Sequence, residues 1–212
     1  MLEAAERLLT ENGIAAITVR AVADHAATTT RAVYALFGSK EGLVQALAGR
    51  GFDLVSERLD SLPLTNDPVE DFLTAAISGF RGFAIDHPDL FRLVFIGGLG
   101  MPYGAETVTA QSTSLRHLVE RVERLHAAGL LGGHRVDDVV LMCDALCTGL
   151  ANREVCGQAD PTQAERVWRD ALTALVAGLG RVPSGSARGG LRADILEAGT
   201  IALGDTIHLD SP

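Results

Sequence analysis

Apolar residues recur at helical spacing along most of this chain, and the pattern predicts an all-α fold. In the first segment they lie three or four positions apart, and the segment ends at Gly13. Comparable stripes continue to residue 179, so about nine helices are expected. They are predicted at 2–12, directly after Thr18, and at 30–36, 40–59, 69–86, 90–95, 106–128, 137–156 and 161–179.

The end of the chain has a different composition. The stretch GRVPSGSARGG, which begins at Gly180, is typical of a linker. It is followed by TIALGDTIHL, in which apolar residues alternate on both sides of Gly204-Asp205, as in a β-hairpin. Residues 181–212 are therefore predicted to be a linker and an irregular tail, either disordered or folded as a β-hairpin.

Two short helices near the N-terminus are separated by a tight turn at residues 26–28. The stretch is TVRAVADHAATTTRAVYALFGSK, and Thr18 and Thr29 stand where a residue that caps a helix is expected. Two helices joined by such a turn form a helix-turn-helix, whose second helix enters the major groove of DNA with its N-terminal residues. Arg31 is the candidate for reading a guanine, and Thr28, Thr29 and Thr30 are short enough to approach phosphates or base edges.

Over residues 2–50 the order of residues resembles the N-terminal domain of the TetR family of transcriptional regulators. The matching residues are Leu9, Gly13, Thr18, Val19, Ala23, Ala26, Thr29, Tyr34, Phe37 and Lys40. The resemblance implies that Thr18, Tyr34 and Lys40 contact DNA phosphates and that Phe37 packs behind the recognition helix. Lys40 is the only lysine of the chain and lies where a helix begins, which suits a phosphate. Ala27 departs from the pattern, because the family usually has a glycine in this turn, so the turn is expected to form either without a residue of positive φ or with some strain.

Charge is distributed unevenly along the chain. The net charge is −9, but residues 1–50 are neutral and the rest carries the whole excess of acid. A phosphate-binding surface is therefore expected only in the N-terminal part. No apolar run is long enough to cross a membrane, and the charged N-terminus is unlike a signal peptide. Three cysteines without such a signal suggest reduced thiols in the cytoplasm.

The domains expected from the resemblance are a helix-turn-helix domain at 1–46 and a ligand-binding and dimerisation domain at 47–180. They imply a homodimeric regulator, a repressor by default, which binds a palindromic operator in double-stranded DNA and leaves it when a small apolar or amphipathic effector binds. The ligand pocket implied by the resemblance would lie among the fifth to eighth helices, and the composition there suggests an apolar or amphipathic ligand. The candidates for ligand binding are Phe80, Phe83, Phe91, Phe95, Met101, His117, Met142, Cys143 and Asn152.

The last two helices are expected to form the dimer interface, again by resemblance. Both have wide apolar faces, and small residues such as Gly149 permit close approach of a second helix. The interface candidates are Val140, Cys147, Leu150, Trp168, Leu172 and Leu175.

Two other kinds of function are weighed. The cysteines, with His134, raise the possibility of an enzyme or of a metal or thiol sensor, but Cys143 and Cys147 lie four apart on an apolar helix face, where small buried residues are expected. No catalytic residue, metal site or cofactor is predicted.

The second alternative is a helical protein of the same family that does not bind DNA and acts through protein contacts. The neutral N-terminal part and Ala27 make it worth testing.

Overall fold

The computed structural model describes residues 1–97 and 102–181, and within them the chain forms helices and no strand. The all-α prediction is confirmed for these residues, whereas the predicted β-hairpin and Met101 lie outside them. The helices are α1 (Leu2–Asn12), α2 (Val19–His25), α3 (Thr30–Phe37), α4 (Lys40–Asp60), α5 (68–86), α6 (88–96), α7 (Ala105–Ala127), α8 (Val136–Val155) and α9 (Pro161–Leu179), with a 3₁₀ turn at Ile14–Ala16.

The N-terminal part is a small bundle in which α1, α2 and α3 pack against the beginning of α4. Its core consists of fully or nearly fully buried aliphatic side chains, among them Leu8, Ile17, Val22, Val33 and Leu43. The helices begin at polar caps. The Thr18 hydroxyl accepts a hydrogen bond from the Ala21 amide at 3.1 Å, and Thr29 accepts one from Ala32 at 3.2 Å. Both predicted caps are confirmed.

The larger part is built around α4, which packs along α7, with α5, α6, α8 and α9 completing the bundle. Its core holds the largest buried side chains, Phe72, Phe83, Phe91 and Trp168. Because α4 runs without a break from Lys40 to Asp60, a boundary at 46/47 falls inside a helix. The division into domains at 46/47 and 180/181 stays a prediction.

Two helices of the larger part are not the regular α-helices that the pattern predicted. Residues Ala75–Arg81 of α5 and Arg92–Ile96 of α6 have π-helical hydrogen bonding. Gly79 lies in the first of these wide turns, and a Cβ atom there would lie 2.4 Å from Cδ2 of Leu59 on α4. The glycine therefore allows α4 and α5 to approach each other at this point.

Two acids, the buried Asp71 and the half-buried Glu154, join the helices. Asp71 on α5 accepts hydrogen bonds from the amide and hydroxyl of Thr65 and from Arg124 on α7. Glu154 on α8 accepts hydrogen bonds from Arg81 on α5 at 3.1 and 3.2 Å and from the Trp168 indole on α9. Because each carboxylate has several donors, the charge of each is compensated inside the bundle.

None of the helices in residues 1–97 and 102–181 is both long and apolar enough to span a lipid bilayer.

Candidate nucleic-acid interface and internal cavity

The residues predicted to contact DNA lie on one part of the N-terminal bundle and are largely accessible. Thr18, Thr29, Thr30, Arg31, Tyr34 and Lys40 are exposed, and Thr28 is half-buried. Tyr34 is 54% exposed, so it is not a core residue of this chain. Within the described residues, Arg31 and Lys40 form no ion pair with an acidic side chain. These cations and hydroxyls are therefore available to an external anion.

The hydroxyl groups of the capping threonines can accept one hydrogen bond and donate another at the same time. The oxygen of a hydroxyl group accepts the bond from the helix amide, while its hydrogen remains a donor. Thr18 and Thr29 are both exposed, so their hydroxyl groups are accessible at the start of a helix, where an anion is also favoured by the helix dipole.

Lys40 begins α4 next to an acid. Ser39 caps the helix and accepts a hydrogen bond from the Gly42 amide at 3.1 Å. The pKa of Glu41 is lowered by hydrogen bonds from its own backbone amide and from Ser39, with a smaller effect of Lys40. The start of α4 thus already stabilises one negative charge, and a DNA phosphate near Lys40 has to approach beside Glu41.

The turn of the helix-turn-helix is strained at Ala27. Its φ of 49° makes it the one non-glycine residue with positive φ in the described residues. The Thr28 amide donates to the Ala23 carbonyl at 2.9 Å and the Ala27 amide donates to Asp24 at 3.2 Å. This pair of bonds is a Schellman motif, in which the left-handed position normally holds glycine. Of the two alternatives left open by the sequence, the structure has the one with a residue of positive φ at Ala27.

Inside the larger part lies a cavity of about 340 Å³, bounded by α4, α5, α6, α7 and α8. Its wall is mainly apolar, and both π-helical stretches contribute to it, as is common near binding sites. The wall residues are Phe52, Val55, Leu59, Phe72, Ala75, Ala76, Phe80, Val94, Phe95, Gln111, Ser114, Leu115, His117, Leu118, Arg121, Cys143, Asp144, Cys147 and Thr148.

Four of the predicted ligand-binding residues come together in this wall, namely Phe80, Phe95, His117 and Cys143. The other described candidates do not line it. Phe83 and Phe91 are buried in the core, with ring centroids 6.2 and 5.5 Å from Phe95, because they occupy the inner side of the same aromatic cluster. Met142 and Asn152 do not line the cavity, because they are not on the face of α8 that carries the buried Cys143 and Cys147. Met142 is 41% exposed.

Sequence reasoning missed the polar side of the cavity, which α7 supplies. Gln111, Ser114 and Arg121 line the wall with His117. Their spacing of three, three and four residues places them on one helix face, so the sequence contains the signal as a polar stripe. Such a stripe is more typical of a solvated face, because charged residues on a helix are rarely buried.

Burial changes the acid–base behaviour of these groups. Arg121 is 3% exposed and His117 is 8% exposed. Desolvation lowers the pKa of His117, although Asp60 opposes the shift, so the imidazole is neutral at pH 7. Desolvation also lowers the pKa of Arg121, but a guanidinium stays protonated in proteins. The cavity therefore contains one buried positive charge.

The buried cysteines are poor candidates for thiol sensing. Burial raises the pKa of Cys143 to about 12 and raises that of Cys147 further. The thiolate is the reactive form of cysteine, and it is scarce in both residues at neutral pH. In the described residues no group of three or more potential metal-ligating side chains is found.

The predicted interface residues divide into two groups. Cys147, Trp168 and Leu172 are buried in the core of the single chain. Val140, Leu150 and Leu175 are half-buried at the edge of that core. The outward faces carry other apolar and small residues, namely Leu141, Met142, Ala145 and Gly149 on α8 and Val167, Ala174 and Gly178 on α9.

Comparisons with protein families match both parts of the chain. The family model for bacterial regulatory proteins of the tetR family matches residues 1–47. The family model for the tetracyclin repressor-like C-terminal domain matches residues 73–175. Among curated protein sequences, none matches the chain significantly.

Several solved structures have the same fold. A protein of unknown function from Rhodococcus sp. RHA1 is 24% identical, with a TM-score of 0.75 over 85% of this chain and 93% of that one. The TetR family transcriptional regulator PfmR from Thermus thermophilus is 22% identical, with a TM-score of 0.61 over 85% and 98%. A TetR variant from Acinetobacter baumannii AYE, in complex with minocycline, is 22% identical, with a TM-score of 0.58 over 86% and 96%.

Proposed function

The chain belongs to the TetR family of bacterial regulatory proteins, and we propose that it is a one-component repressor whose DNA affinity is controlled by a small molecule. As a homodimer it binds a palindromic operator in double-stranded DNA, in the cytoplasm, through Thr18, Thr28, Thr29, Thr30, Arg31, Tyr34 and Lys40. When a small apolar or amphipathic effector enters the cavity, the protein leaves the operator. We assign it no catalytic activity and no cofactor.

One observation carries this proposal: α4 belongs to both the DNA-binding face and the cavity. Lys40 begins the helix, Leu43 and Leu47 pack in the N-terminal bundle, and Phe52, Val55 and Leu59 line the cavity wall. A ligand that displaces the wall of α4 therefore moves Lys40 as well, because a helix transmits displacement along its axis. The ligand therefore shifts the equilibrium toward the protein conformation to which the ligand binds more tightly.

A second contact supports this coupling. Gln45 on α4 donates from Nε2 to the Pro102 carbonyl at 2.9 Å and accepts from the Gly104 amide at 3.1 Å. The Thr107 hydroxyl on α7 donates to the Gln45 carbonyl at 3.1 Å. These bonds connect α4, close to the DNA-binding bundle, with the beginning of α7, whose later turns carry His117 and Arg121. Both helices that flank the cavity are thus connected at Gln45.

The dimer surface that we propose is the outward side of α8 and α9. Leu141 is 68% exposed, and Met142 and Val167 are each 41% exposed. A Cβ atom added at Gly149 would meet nothing within 4 Å, so there is room for a partner helix. In a two-fold dimer the recognition helices would contact successive major grooves, roughly 34–36 Å apart.

DNA binding is tested by fluorescence anisotropy with labelled DNA from upstream of the protein's own gene, at about 50 and about 200 mM salt. We expect binding that weakens steeply with salt. The double substitution Tyr34→Ala and Lys40→Ala removes a phosphate hydrogen bond and one charge. It should lower affinity at least about 10-fold and reduce the slope of log affinity against log salt by about 1.

The control is Arg135→Ala, which removes a charge from an exposed side chain outside the N-terminal bundle and should leave affinity unchanged. If a folded dimer bound neither this DNA nor any member of a random DNA pool, the repressor would be ruled out. The result would favour a family member that acts through protein contacts.

A further inference from the structure

Arg121 is a buried cation without a carboxylate partner in the described part of the chain. It is 3% exposed and lies in the cavity wall. Its Nη1 donates to the His117 carbonyl at 3.0 Å and its Nη2 lies 3.5 Å from the Leu59 carbonyl. Its Nε is buried and has no hydrogen-bond partner. Removing a cation from water is costly unless an anion compensates it, so this arrangement is incomplete without a ligand.

The neighbouring acids do not supply that compensation. Asp71 is engaged by Arg124 and by three hydrogen bonds from Thr65. Asp60 and Glu120 are exposed, so water screens their charges. Asp144, the one acid in the cavity wall, is accessible to water, although partial burial raises the pKa of its carboxyl group, and it is not among the charged groups that act on Arg121. The net charge at the buried end of the cavity is therefore positive.

His117 adds a second unsatisfied group at the same end. Its Nε2 is buried without a hydrogen-bond partner, and the Asp60 carboxylate lies 3.7 Å away, too far for a hydrogen bond. Ser114, one turn away on α7, is buried and also lines the wall. The rest of the wall is mainly apolar and includes Phe52, Phe80 and Phe95, with Gln111, Asp144 and Thr148 as its other polar residues.

We propose that the cavity binds a molecule with an apolar body and a single carboxylate, which pairs with Arg121 and accepts a hydrogen bond from His117. This inference rests on the proposed function, because it specifies the chemical class of the effector. A carboxylate accepts two parallel hydrogen bonds from a guanidinium, and the apolar body fills the aromatic side of the cavity. The volume of about 340 Å³ is near the lower end for ligand pockets, which indicates a small molecule.

The test is isothermal titration calorimetry of the full-length protein without DNA, with octanoate, 1-octanol and octylamine as probes. The three molecules share one apolar chain and differ in the charge of the head group. We expect octanoate to bind at least about 10-fold more tightly than 1-octanol, since a hydrogen-bonded charge pair is worth more than a neutral hydrogen bond. Octylamine should bind more weakly than both.

Variants identify the group responsible. Arg121→Met keeps the volume and removes the charge, so octanoate should lose its preference while 1-octanol binds as before. Arg121→Lys keeps the charge and should retain part of the preference. Arg116→Met removes an exposed arginine of the same helix that does not line the cavity, and it should bind like the wild type. Circular dichroism melting curves establish that each variant is folded.

Three results would overturn the inference: equal or tighter binding of 1-octanol or octylamine, a preference for octanoate that survives in Arg121→Met, or no binding of octanoate by the folded protein at about 1 mM. If Arg121 were purely structural, Arg121→Met would weaken all three probes equally. Because no DNA is present, a failure here is distinct from a failure of operator binding in the anisotropy experiment.

Discussion

At the scale of single residues, Ala27 is the position where this chain departs most clearly from its family. It takes the left-handed conformation, with φ of 49°, although it has a Cβ atom. This conformation costs a residue with a Cβ atom roughly 1–2 kcal/mol of folding free energy. Glycine avoids that cost, but the higher conformational entropy of glycine in the unfolded chain offsets part of the gain. We expect Ala27→Gly to stabilise the folded protein by about 0.5 to 1 kcal/mol in urea denaturation.

The matched control is Ala26→Gly, one residue earlier, where φ is −90°. It should destabilise the protein by roughly 0.5–1 kcal/mol, because glycine gains nothing there and loses more entropy on folding. Equal loss of stability in both variants would show that the turn carries no strain at Ala27. Arg121 is the other residue that sequence reasoning treated as ordinary, since its burial depends on neighbours that are distant in the chain.

At the scale of elements, α5, α8 and α9 are held together by one carboxylate. Glu154 accepts hydrogen bonds from Arg81 and from Trp168, and the side chains of Arg81 and Glu154 are 15% and 10% exposed. Glu154→Gln removes the charge and leaves Arg81 buried with a weak partner. We expect a loss of about 2 to 3 kcal/mol of unfolding free energy, measured by chemical denaturation.

Glu165 provides the comparison for that substitution. It lies 4.0 Å from Arg81, but its side chain is 68% exposed. Glu165→Gln should change stability by less than about 0.5 kcal/mol, as exposed ion pairs do. If Glu154→Gln and Glu165→Gln lowered the free energy of unfolding equally, the ion pair between Arg81 and Glu154 would stabilise the protein no more than the exposed contact with Glu165.

At the scale of the whole molecule, the proposed dimer depends on the outward side of α8. Leu141 is 68% exposed there, and a charge at this position would be buried on association. We expect Leu141→Glu to shift the protein to a monomer in sedimentation velocity. DNA affinity should fall at least about 100-fold, because the two half-sites are then bound independently.

Leu64→Glu is the control, since Leu64 is 49% exposed and belongs to the segment before α5, not to α8 or α9. It should remain a dimer and bind DNA as the wild type does. A dimer that persisted in Leu141→Glu would place the interface elsewhere on the molecule.

The sequence by itself determined the order of the helices, the caps at Thr18 and Thr29, and the helix-turn-helix. These features depend on residues three or four positions apart, so they can be read from a local pattern. Tertiary structure decided which side of each helix faces inward. It buried Trp168 and Leu172, placed Phe83 behind the cavity wall, and buried Arg121 in that wall beside His117. Packing between distant segments settles such choices, because a local pattern shows which residues share a helix face but not what that face packs against.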